Sequence, residues 1–280
     1  MSKTILIADS GSTKTDWLLT DGTHEQRLQT AGINPIVQTE TAVMETLRRL
    51  TGNLHPTDVE AVYFYGAGCM GEYREQMAQL LRKVFPKARE IEAEGDLLGA
   101  ARAVCGHEEG IACILGTGSN SCLYDGEKIV SNVPPLGYIL GDEGSGAALG
   151  KLFLNALLKG DLPKAMLDDF YTSMNLSYAD IIRRVYREPL ANRFLASTSL
   201  SIRARIGDER VGELVRHNFR AFFEKNILKY GRPDLPVSAV GSIAHAYSEQ
   251  LQQVASDYGL RLRRIMRSPI DGLRAYCYSS

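Results

Sequence analysis

Apolar and polar positions follow two different periods along the first hundred residues. Residues 4–8 and 15–19 are short, largely apolar runs on either side of a small polar loop, and Asp21-Gly22 is a turn signal, so this region predicts a meander of strands. Residues 43–50 and 73–84 carry apolar side chains every three or four positions, which predicts amphipathic helices. Strand and helix then alternate, so the sheet is expected to be mixed. The remaining predicted elements of this half are strands at 59–65 and 89–91 and a helix at 97–104.

The opening pattern recurs from residue 111. An apolar run at 111–115, a small-residue loop at 116–119, a return run at 121–124 and the turn Asp125-Gly126 repeat the first meander element by element. Since 280 residues are enough for about two domains, we predict two α/β lobes of one topology with a cleft between them. Their predicted bounds are 1–106 and 107–280, and a return of the last residues to the first lobe is left open.

Composition narrows the classes of function. With 44% hydrophobic and 23% charged residues and a net charge of −1, the chain can bury a core and shows no excess charge for nucleic acid or a membrane. The apolar run at residues 5–8 is too short for a signal sequence or a membrane span, so we expect a cytoplasmic protein. The cysteines are odd in number and lack a CxxC pair, which is typical of reduced thiols. They are Cys69, Cys105, Cys113, Cys122 and Cys277.

Two hairpin tips have the composition of phosphate-binding loops. Residues 9–14 and 116–120 are rich in Ser, Gly and Thr, whose small size lets backbone N–H groups and hydroxyls approach one oxyanion. Either loop alone is more typical of an ordinary tight turn, but one at the start of each lobe favours binding of the β and γ phosphates of a nucleotide. Lys14 adds charge unless it is a solvated surface residue, and Asp9 is placed to hold Mg²⁺ through water. The assigned residues are Asp9, Gly11, Ser12, Thr13, Lys14, Gly116, Thr117 and Gly118.

A third loop and one acid complete the candidate nucleotide chemistry. Gly241 and Ser242 follow an apolar strand and open a helix, where a base or ribose can lie against the backbone; an ordinary N-cap at Ser242 is the alternative. Asp96 stands where a strand ends and a small-residue helix begins. It is either an N-cap carboxylate or a general base, because phosphoryl transfer to a hydroxyl needs a carboxylate that orients and deprotonates it.

Polar residues beside glycines and turns offer groups for sugar hydroxyls. In residues 141–146 two acids are flanked by glycines just before an apolar helix; capping by Asp142 explains part of the pattern, and binding of a sugar or a metal explains the glycines better. Asn34 and Asn120 carry amides suited to sugar hydroxyls, although both also fit ordinary turns.

Together these segments resemble the N-acetylglucosamine kinase and BadF/BadG/BcrA/BcrD ATPase branch of the sugar kinase, heat-shock protein and actin superfamily. Residues 5–21 are similar to its first phosphate loop, 112–126 to its second and 240–242 to its adenosine loop. The pair of segments 115–120 and 141–145 is specific to the branch. The resemblance covers almost the whole chain and implies an actin-like ATPase (ribonuclease H-like) fold with a nucleotide cleft between two lobes.

The resemblance also implies an activity and residue roles. It implies an ATP- and Mg²⁺-dependent kinase, expected to be a homodimer, that transfers the γ-phosphate to the 6-hydroxyl of N-acetylglucosamine or a close relative. Asp96 would be the catalytic base, and Thr13 and Thr117 would meet ATP. Leu136 stands where some of these kinases carry a tryptophan, which leaves the choice among N-acetylglucosamine, N-acetylmuramic acid and glucosamine open. The residues assigned to the sugar are Asn34, Gly68, Ser119, Asn120, Gly137 and Asp142.

Other functions fit parts of the sequence. Residues 66–71 satisfy GxGxxG, but a dinucleotide site normally has this fingerprint in the first βα turn, whereas here a meander and a helix precede it. A haloacid-dehalogenase phosphatase would need a second acid at Gly11. A BadF-type ATPase that activates a partner enzyme lacks its paired cluster cysteines here, and a non-catalytic sugar sensor would not need Asp96. The last two remain the alternatives to the kinase.

Overall fold

The computed structural model describes residues 3–11, 13–54 and 58–278. The chain divides into two compact units, each built around one five-stranded sheet. Unit 1 consists of Met1–Glu108, Gly126–Lys128 and Pro269–Ser280, and unit 2 of Glu109–Asp125 and Ile129–Ser268.

The sheet of unit 1 is mixed, as predicted. Strands β1 to β3 form an antiparallel meander, while β4 and β5 run parallel to β1, giving the order β3-β2-β1-β4-β5. The sequence pattern detected only the start of β5, because this strand carries three glutamates and acids are disfavoured in strands. Each of these glutamates has a basic partner: Lys3, Arg102 and Arg74. The strands are β1 (Ile5–Ser10), β2 (Lys14–Thr20), β3 (Glu25–Ala31), β4 (Ala61–Gly66) and β5 (Glu90–Gly95).

Helices cover both faces of this sheet. On one face α1 and α2 pack their apolar stripes against Trp17 and Phe64. Val43, Leu47 and Leu50, the positions that predicted α1 from the sequence, are all buried. On the other face α3 packs against β4 and β1. The helices are α1 (Glu40–Thr51), α2 (Glu72–Val84) and α3 (Asp96–Cys105).

The sheet of unit 2 repeats the topology of the first. Its order, β8-β7-β6-β9-β10, again joins an antiparallel meander to two strands that run parallel to the first. The repeated opening motif of the sequence therefore reflects a repeated fold, and the prediction of two mixed sheets is confirmed. The strands are β6 (Gly110–Leu115), β7 (Ser119–Tyr124), β8 (Ile129–Ser131), β9 (Val237–Val240) and β10 (Leu262–Met266).

Unit 2 is rich in helices, and their apolar side chains form the largest core cluster. Residues 208–230 carry apolar side chains every three or four positions, and they form α10 followed by a 3-10 turn at Ile227–Tyr230. The helices are α4 (Gly137–Leu140), α5 (Gly146–Lys159), α6 (Lys164–Met174), α7 (Tyr178–Tyr186), α8 (Ala191–Ser197), α9 (Ser199–Arg203), α10 (Glu209–Lys225), α11 (Ser242–Ala246) and α12 (Ser248–Asp257).

The last helix, α13 (Ile270–Tyr278), belongs to unit 1 and packs against α3. The two backbones meet at Gly272, where an added Cβ would lie 2.3 Å from the carbonyl oxygen of Ala103. Ile270 and Leu273 complete the core on this face of the sheet. Because α3 begins at Asp96, this contact supports the helix that carries the candidate base.

All five cysteines are free thiols, four of them buried, in agreement with the expected reduced state. Within residues 3–11, 13–54 and 58–278, no helix has the length and apolar character needed to cross a membrane.

We predict that Gly272→Ala lowers the free energy of unfolding by about 1–3 kcal/mol, because the new methyl group meets backbone atoms of Ala103 that cannot turn away. Gly207→Ala is the matched control, since a Cβ at Gly207 meets nothing within 4 Å. Urea unfolding followed by circular dichroism measures both. Equal unfolding midpoints for the two variants would contradict the close contact.

Candidate active site

Three parallel strands of unit 1 end in line at one edge of its sheet. Ser10, Gly66 and Gly95 are register partners across β1, β4 and β5. Loops at the carboxyl ends of such strands are the usual place for a ligand in α/β sheets. The unit 1 residues predicted from the sequence lie in or beside these strand ends, while Ser12 lies outside the described residues. They are Asp9, Gly11, Thr13, Lys14, Asn34, Gly68 and Asp96.

Carboxylates crowd this edge. Burial, and after it the negative charges of Asp16 and Asp96, raise the pKa of Asp9 to about 7, against the opposing effect of Lys14. Burial also raises the pKa of Asp96, although its carboxylate accepts hydrogen bonds from its own N–H and that of Leu97. The N-cap position is occupied by Gly95, so the N-cap interpretation of Asp96 is wrong by one residue. Asp96 is the first residue of α3, half-buried and close enough to Asp9 for the two charges to repel.

These acids are suited to a cation that keeps most of its water, and not to a metal ion ligated by protein side chains alone. Among residues 3–11, 13–54 and 58–278, no three His, Cys, Asp or Glu side chains form a group that would ligate a metal. Lys14 offsets only part of the negative charge at Asp9, because its Nζ also lies 2.8 Å from Asp16 Oδ2. Mg²⁺ usually keeps several waters and takes one or two carboxylates together with substrate phosphates. Asp9 offers one such carboxylate, and a cation beside it would offset the negative charges of Asp16 and Asp96, which add to the effect of burial on its pKa.

Ser10 ties the segment before Asn34 to the end of β1. Its buried hydroxyl donates to the carbonyl of Ile33 (2.9 Å), accepts from the N–H of Ile33 (2.9 Å) and lies 2.7 Å from the hydroxyl of Thr15. Asn34, the next residue, approaches Gly68 so closely that a Cβ on Gly68 would lie 2.3 Å from Asn34 Oδ1. Two residues predicted to bind the sugar are therefore in contact at the same strand edge.

The glycines of the GxGxxG segment do not form a dinucleotide-binding turn. They follow β4, and β1 is bordered on its other side by the antiparallel β2. Gly68 has φ of +79° and packs on Asn34, which explains why a side chain is excluded there. The dehydrogenase hypothesis has no support in this arrangement.

In unit 2, α5 fixes the second candidate phosphate loop. The N–H groups of Gly146 and Ala147 donate to the carbonyls of Gly116 (2.8 Å) and Thr117 (3.1 Å). The loop closes on itself through a 2.9 Å hydrogen bond from the N–H of Gly116 to the carbonyl of Gly118. The loop therefore has a set backbone conformation, and the Thr117 side chain stays exposed.

The third loop lies directly against the end of β6. Gly241 has φ of +130°, and a Cβ on it would lie 2.2 Å from the carbonyl oxygen of Leu115, so only glycine fits. Gly241 also occupies the N-cap position of α11 without a side-chain cap, which makes the N-cap interpretation of Ser242 wrong. Ser242 is exposed beside this contact. The structure thus brings the residues predicted for the phosphate and the adenosine of unit 2 together.

Asp142 lies over the same loop in a strained conformation. It has φ of +56°, is 8% exposed, and its Oδ2 lies 3.1 Å from the position of a Cβ on Gly118. The N–H of Ser119 donates to Oδ1 at 3.5 Å, while burial raises the pKa of the carboxyl. The cap of α5 is Ser145, whose hydroxyl accepts from Ala148 at 3.1 Å. Capping therefore does not account for Asp142.

Gly137 and Asn120 are the two further residues of unit 2 that the sequence predicts for the sugar. The N–H of Asp142 donates to the carbonyl of Pro135 (2.9 Å), and that of Gly141 to Gly137 (2.8 Å), which ties Gly137 to the Asp142 segment. The side-chain oxygen of Asn120 accepts hydrogen bonds from the N–H of Ser121 and from Asn132 Nδ2, both at 2.9 Å. Asn120 is thus oriented by the β8 side of the sheet rather than by Asp142.

Two polar residues of this region were not singled out from the sequence. Ser10 closes the first strand edge, and Asn218 of α10 is 2% exposed and hydrogen bonds to the backbone beside Asp142. Asn218 falls between Val215 and Phe222 on the stripe of α10 that the helical period predicts to be apolar. A polar residue at such a position needs hydrogen-bond partners, and that was the available signal.

Comparison with solved structures reveals close similarity. The chain is 47% identical to a protein from Porphyromonas gingivalis whose structure is named "Putative N-acetylglucosamine Kinase"; 99% of each chain is covered, with a TM-score of 0.95. A protein of the same name from Chromobacterium violaceum is 19% identical over 98% of this chain and 99% of its own, with a TM-score of 0.72, which indicates a shared fold. No protein-family model matches the chain, and no curated protein matches it.

We predict that Ser10→Ala lowers the free energy of unfolding by about 1–3 kcal/mol, because it leaves both backbone groups of Ile33 without their buried partner. Ser197→Ala removes an exposed hydroxyl that bonds only within its helix, so it is the control and should change stability by less than about 0.5 kcal/mol. Chemical denaturation compares the two, and amide exchange at Ile33 should accelerate only in Ser10→Ala. An unchanged rate of amide exchange at Ile33 in Ser10→Ala would show that the hydrogen bonds between Ser10 and Ile33 do not hold this segment.

Proposed function

The chain belongs to the N-acetylglucosamine kinase-like family with the actin-like ATPase fold, and we propose that it is an ATP-dependent kinase of an amino sugar. The acceptor we propose is the 6-hydroxyl of N-acetylglucosamine or a close relative. The observation that carries the proposal is Asp96, a half-buried acid with a raised pKa at an edge where three parallel strands end beside Asn34 and Gly68.

Asp96 is the proposed general base. Its carboxylate accepts the proton of the sugar hydroxyl while that oxygen forms a bond to the γ phosphorus, and the bond from phosphorus to the bridging oxygen breaks to release ADP. A pKa raised by burial makes this carboxylate a better proton acceptor than an ordinary aspartate at neutral pH. The two N–H groups at the start of α3 hold the carboxylate in place.

The nucleotide is assigned to the small-residue loops of both units. We propose that residues 11–14 and 116–118 bind its phosphates through backbone N–H groups and hydroxyls, with Gly241 and Ser242 against the adenosine. Asp9 would hold Mg²⁺ through water, and the ion would supply charge neutralisation on the phosphates. The close packing of Gly241 on the end of β6 supports one continuous nucleotide surface in unit 2.

The sugar is assigned to two groups of polar residues. In unit 1 these are Asn34 and the backbone at Gly68, which already touch. In unit 2 the proposed contacts centre on Asp142, whose carboxylate packs against Gly118 and Ser119. Carboxylates and amides are suited to this task because each offers several hydrogen-bond positions to neighbouring hydroxyls. The remaining assigned residues are Asn120 and Gly137.

We expect Asp96→Asn to lower kcat by about 10²- to 10⁴-fold, because an amide cannot accept the hydroxyl proton. ADP release is measured with Mg-ATP and N-acetylglucosamine, N-acetylmuramic acid, glucosamine, glucose or no sugar. Glu94→Gln is the matched control: it neutralises an acid two residues away that pairs with Arg74, and its kcat should stay within about threefold of wild type.

Each alternative has its own outcome in this assay. Sugar-dependent turnover lost in Asp96→Asn supports the kinase, and 6-deoxy-N-acetylglucosamine should then fail as an acceptor. Turnover that no sugar changes would favour an ATPase that acts on a partner. Sugar binding without turnover in the wild-type protein would favour a sensor. Near-full activity of Asp96→Asn would remove Asp96 from the mechanism.

We further expect Asp9→Asn to raise the Mg²⁺ concentration for half-maximal activity by about 10- to 100-fold, the usual effect of losing a residue that orients a metal's ligands. Asp16→Asn is the control, because Asp16 is the ion-pair partner of Lys14 on the neighbouring strand. Calorimetric titration of Mg²⁺ into each variant with ADP provides a second readout. A larger effect in Asp16→Asn than in Asp9→Asn would show that the assignment of the cation to Asp9 is wrong.

A further inference from the structure

One face of α10 contacts the segment that carries Asp142. Asn218, Phe222 and Lys225 are spaced by four and three residues, so they lie on the same face of the helix. They contact Glu143, Gly144 and Ser145: Lys225 Nζ lies 2.9 Å from Glu143 Oε1, and the Phe222 ring packs where a side chain on Gly144 would be.

Asn218 makes the central contact through both ends of its amide. Its Oδ1 accepts from the N–H of Gly144 at 3.1 Å, and its Nδ2 donates to the carbonyl of Ser145 at 3.2 Å. At 2% exposure, neither end has water as an alternative partner. The amide therefore specifies the backbone geometry of two successive residues, which a hydrophobic side chain of the same size cannot do.

The segment needs such support because its backbone is strained. Asp142 has φ of +56° and Gly144 has φ of +80°, so two of three successive residues are left-handed. A residue other than glycine in this region persists only where the surroundings over-determine it. In this left-handed conformation the Asp142 carboxylate packs against Gly118 and accepts a hydrogen bond from Ser119.

We propose that Asn218 is a positioning residue that sets the affinity for the sugar by holding Asp142 in its left-handed conformation. The inference rests on the proposed function, since Asp142 is there a sugar-binding residue. Asn218 itself does not reach the substrate; it acts through the backbone of Gly144 and Ser145. Helix α10 thereby determines acceptor binding from within the core of unit 2.

The test replaces Asn218 by leucine, which has the same branched arrangement of side-chain heavy atoms and removes both hydrogen bonds. Asn218→Leu should raise the KM for the sugar by about tenfold or more, as expected for two unsatisfied buried backbone groups, with the KM for ATP changed by less than about twofold. Val215→Ala, a core truncation one turn earlier on α10, is the control for general destabilisation. It should lower the melting temperature and leave both KM values unchanged.

A double-mutant cycle with Asp142→Asn separates positioning from packing. If Asn218 acts through Asp142, Asn218→Leu should add less than about twofold to the sugar KM in the Asp142→Asn background. Calorimetric sugar binding without ATP should give the same pattern. Additive effects, or equal shifts in the sugar and ATP KM values, would overturn the proposal.

Two further arms keep the test decisive. If Asn218→Leu does not fold, Lys225→Met removes the exposed contact to Glu143 and should still raise the sugar KM by about 2- to 5-fold, with the ATP KM unchanged. An unchanged sugar KM in Lys225→Met would count against α10 as the support of the Asp142 segment.

Wild-type protein is assayed in parallel. Absence of sugar-dependent turnover there would refute the proposed function, whereas turnover with an insensitive Asn218→Leu refutes this inference alone.

Discussion

The in-line ending of β1, β4 and β5 is the constraint on which the candidate site of unit 1 depends. Parallel pairing in strict register brings Ser10, Gly66 and Gly95 to one edge, so the residues just beyond them are neighbours despite their distance in sequence. Desolvation at this edge raises the pKa values of Asp9 and Asp96. The topology of the sheet, rather than any local motif, therefore brings together the two acids proposed as the base and as the cation-binding residue.

Much of this arrangement was predictable from the sequence because it depends on local signals. The meander, α1 and the repeated opening followed from hydrophobic periods and turn residues, and the strand-to-helix junction at Asp96 was located to within one residue. The full length of β5 was not, because its glutamates look unfavourable until their basic partners are seen. Between 164 and 203 the sequence indicates helical character but not the bounds of the individual helices, which are short and pack mainly on one another and on α5.

The contacts within the site could not be predicted in the same way. Nothing in the local sequence places Asn34 on Gly68, or Gly241 on the carbonyl of Leu115, because each contact joins segments whose distance is set by the whole sheet. In the sequence, these close contacts are marked only by a glycine, at Gly68 and at Gly241. Glycine is also typical of ordinary turns, so it does not identify a close contact. Tertiary contacts thus decide which glycines are needed for close approach and which merely end an element.

The two units use the same physical device to hold their polar site residues. In unit 1 a buried hydroxyl, Ser10, bonds both backbone groups of the residue before Asn34; in unit 2 a buried amide, Asn218, bonds the backbone just after Asp142. In each case the buried group fixes the backbone next to the site residue. The site side chain itself also accepts one backbone hydrogen bond, from Ile36 to Asn34 Oδ1 and from Ser119 to Asp142 Oδ1. A buried polar group is costly unless it is satisfied, so these bonds make any other loop conformation unfavourable. The cores of both units therefore do more than stabilise the fold: in each unit a buried side chain fixes the backbone of a loop that carries candidate site residues.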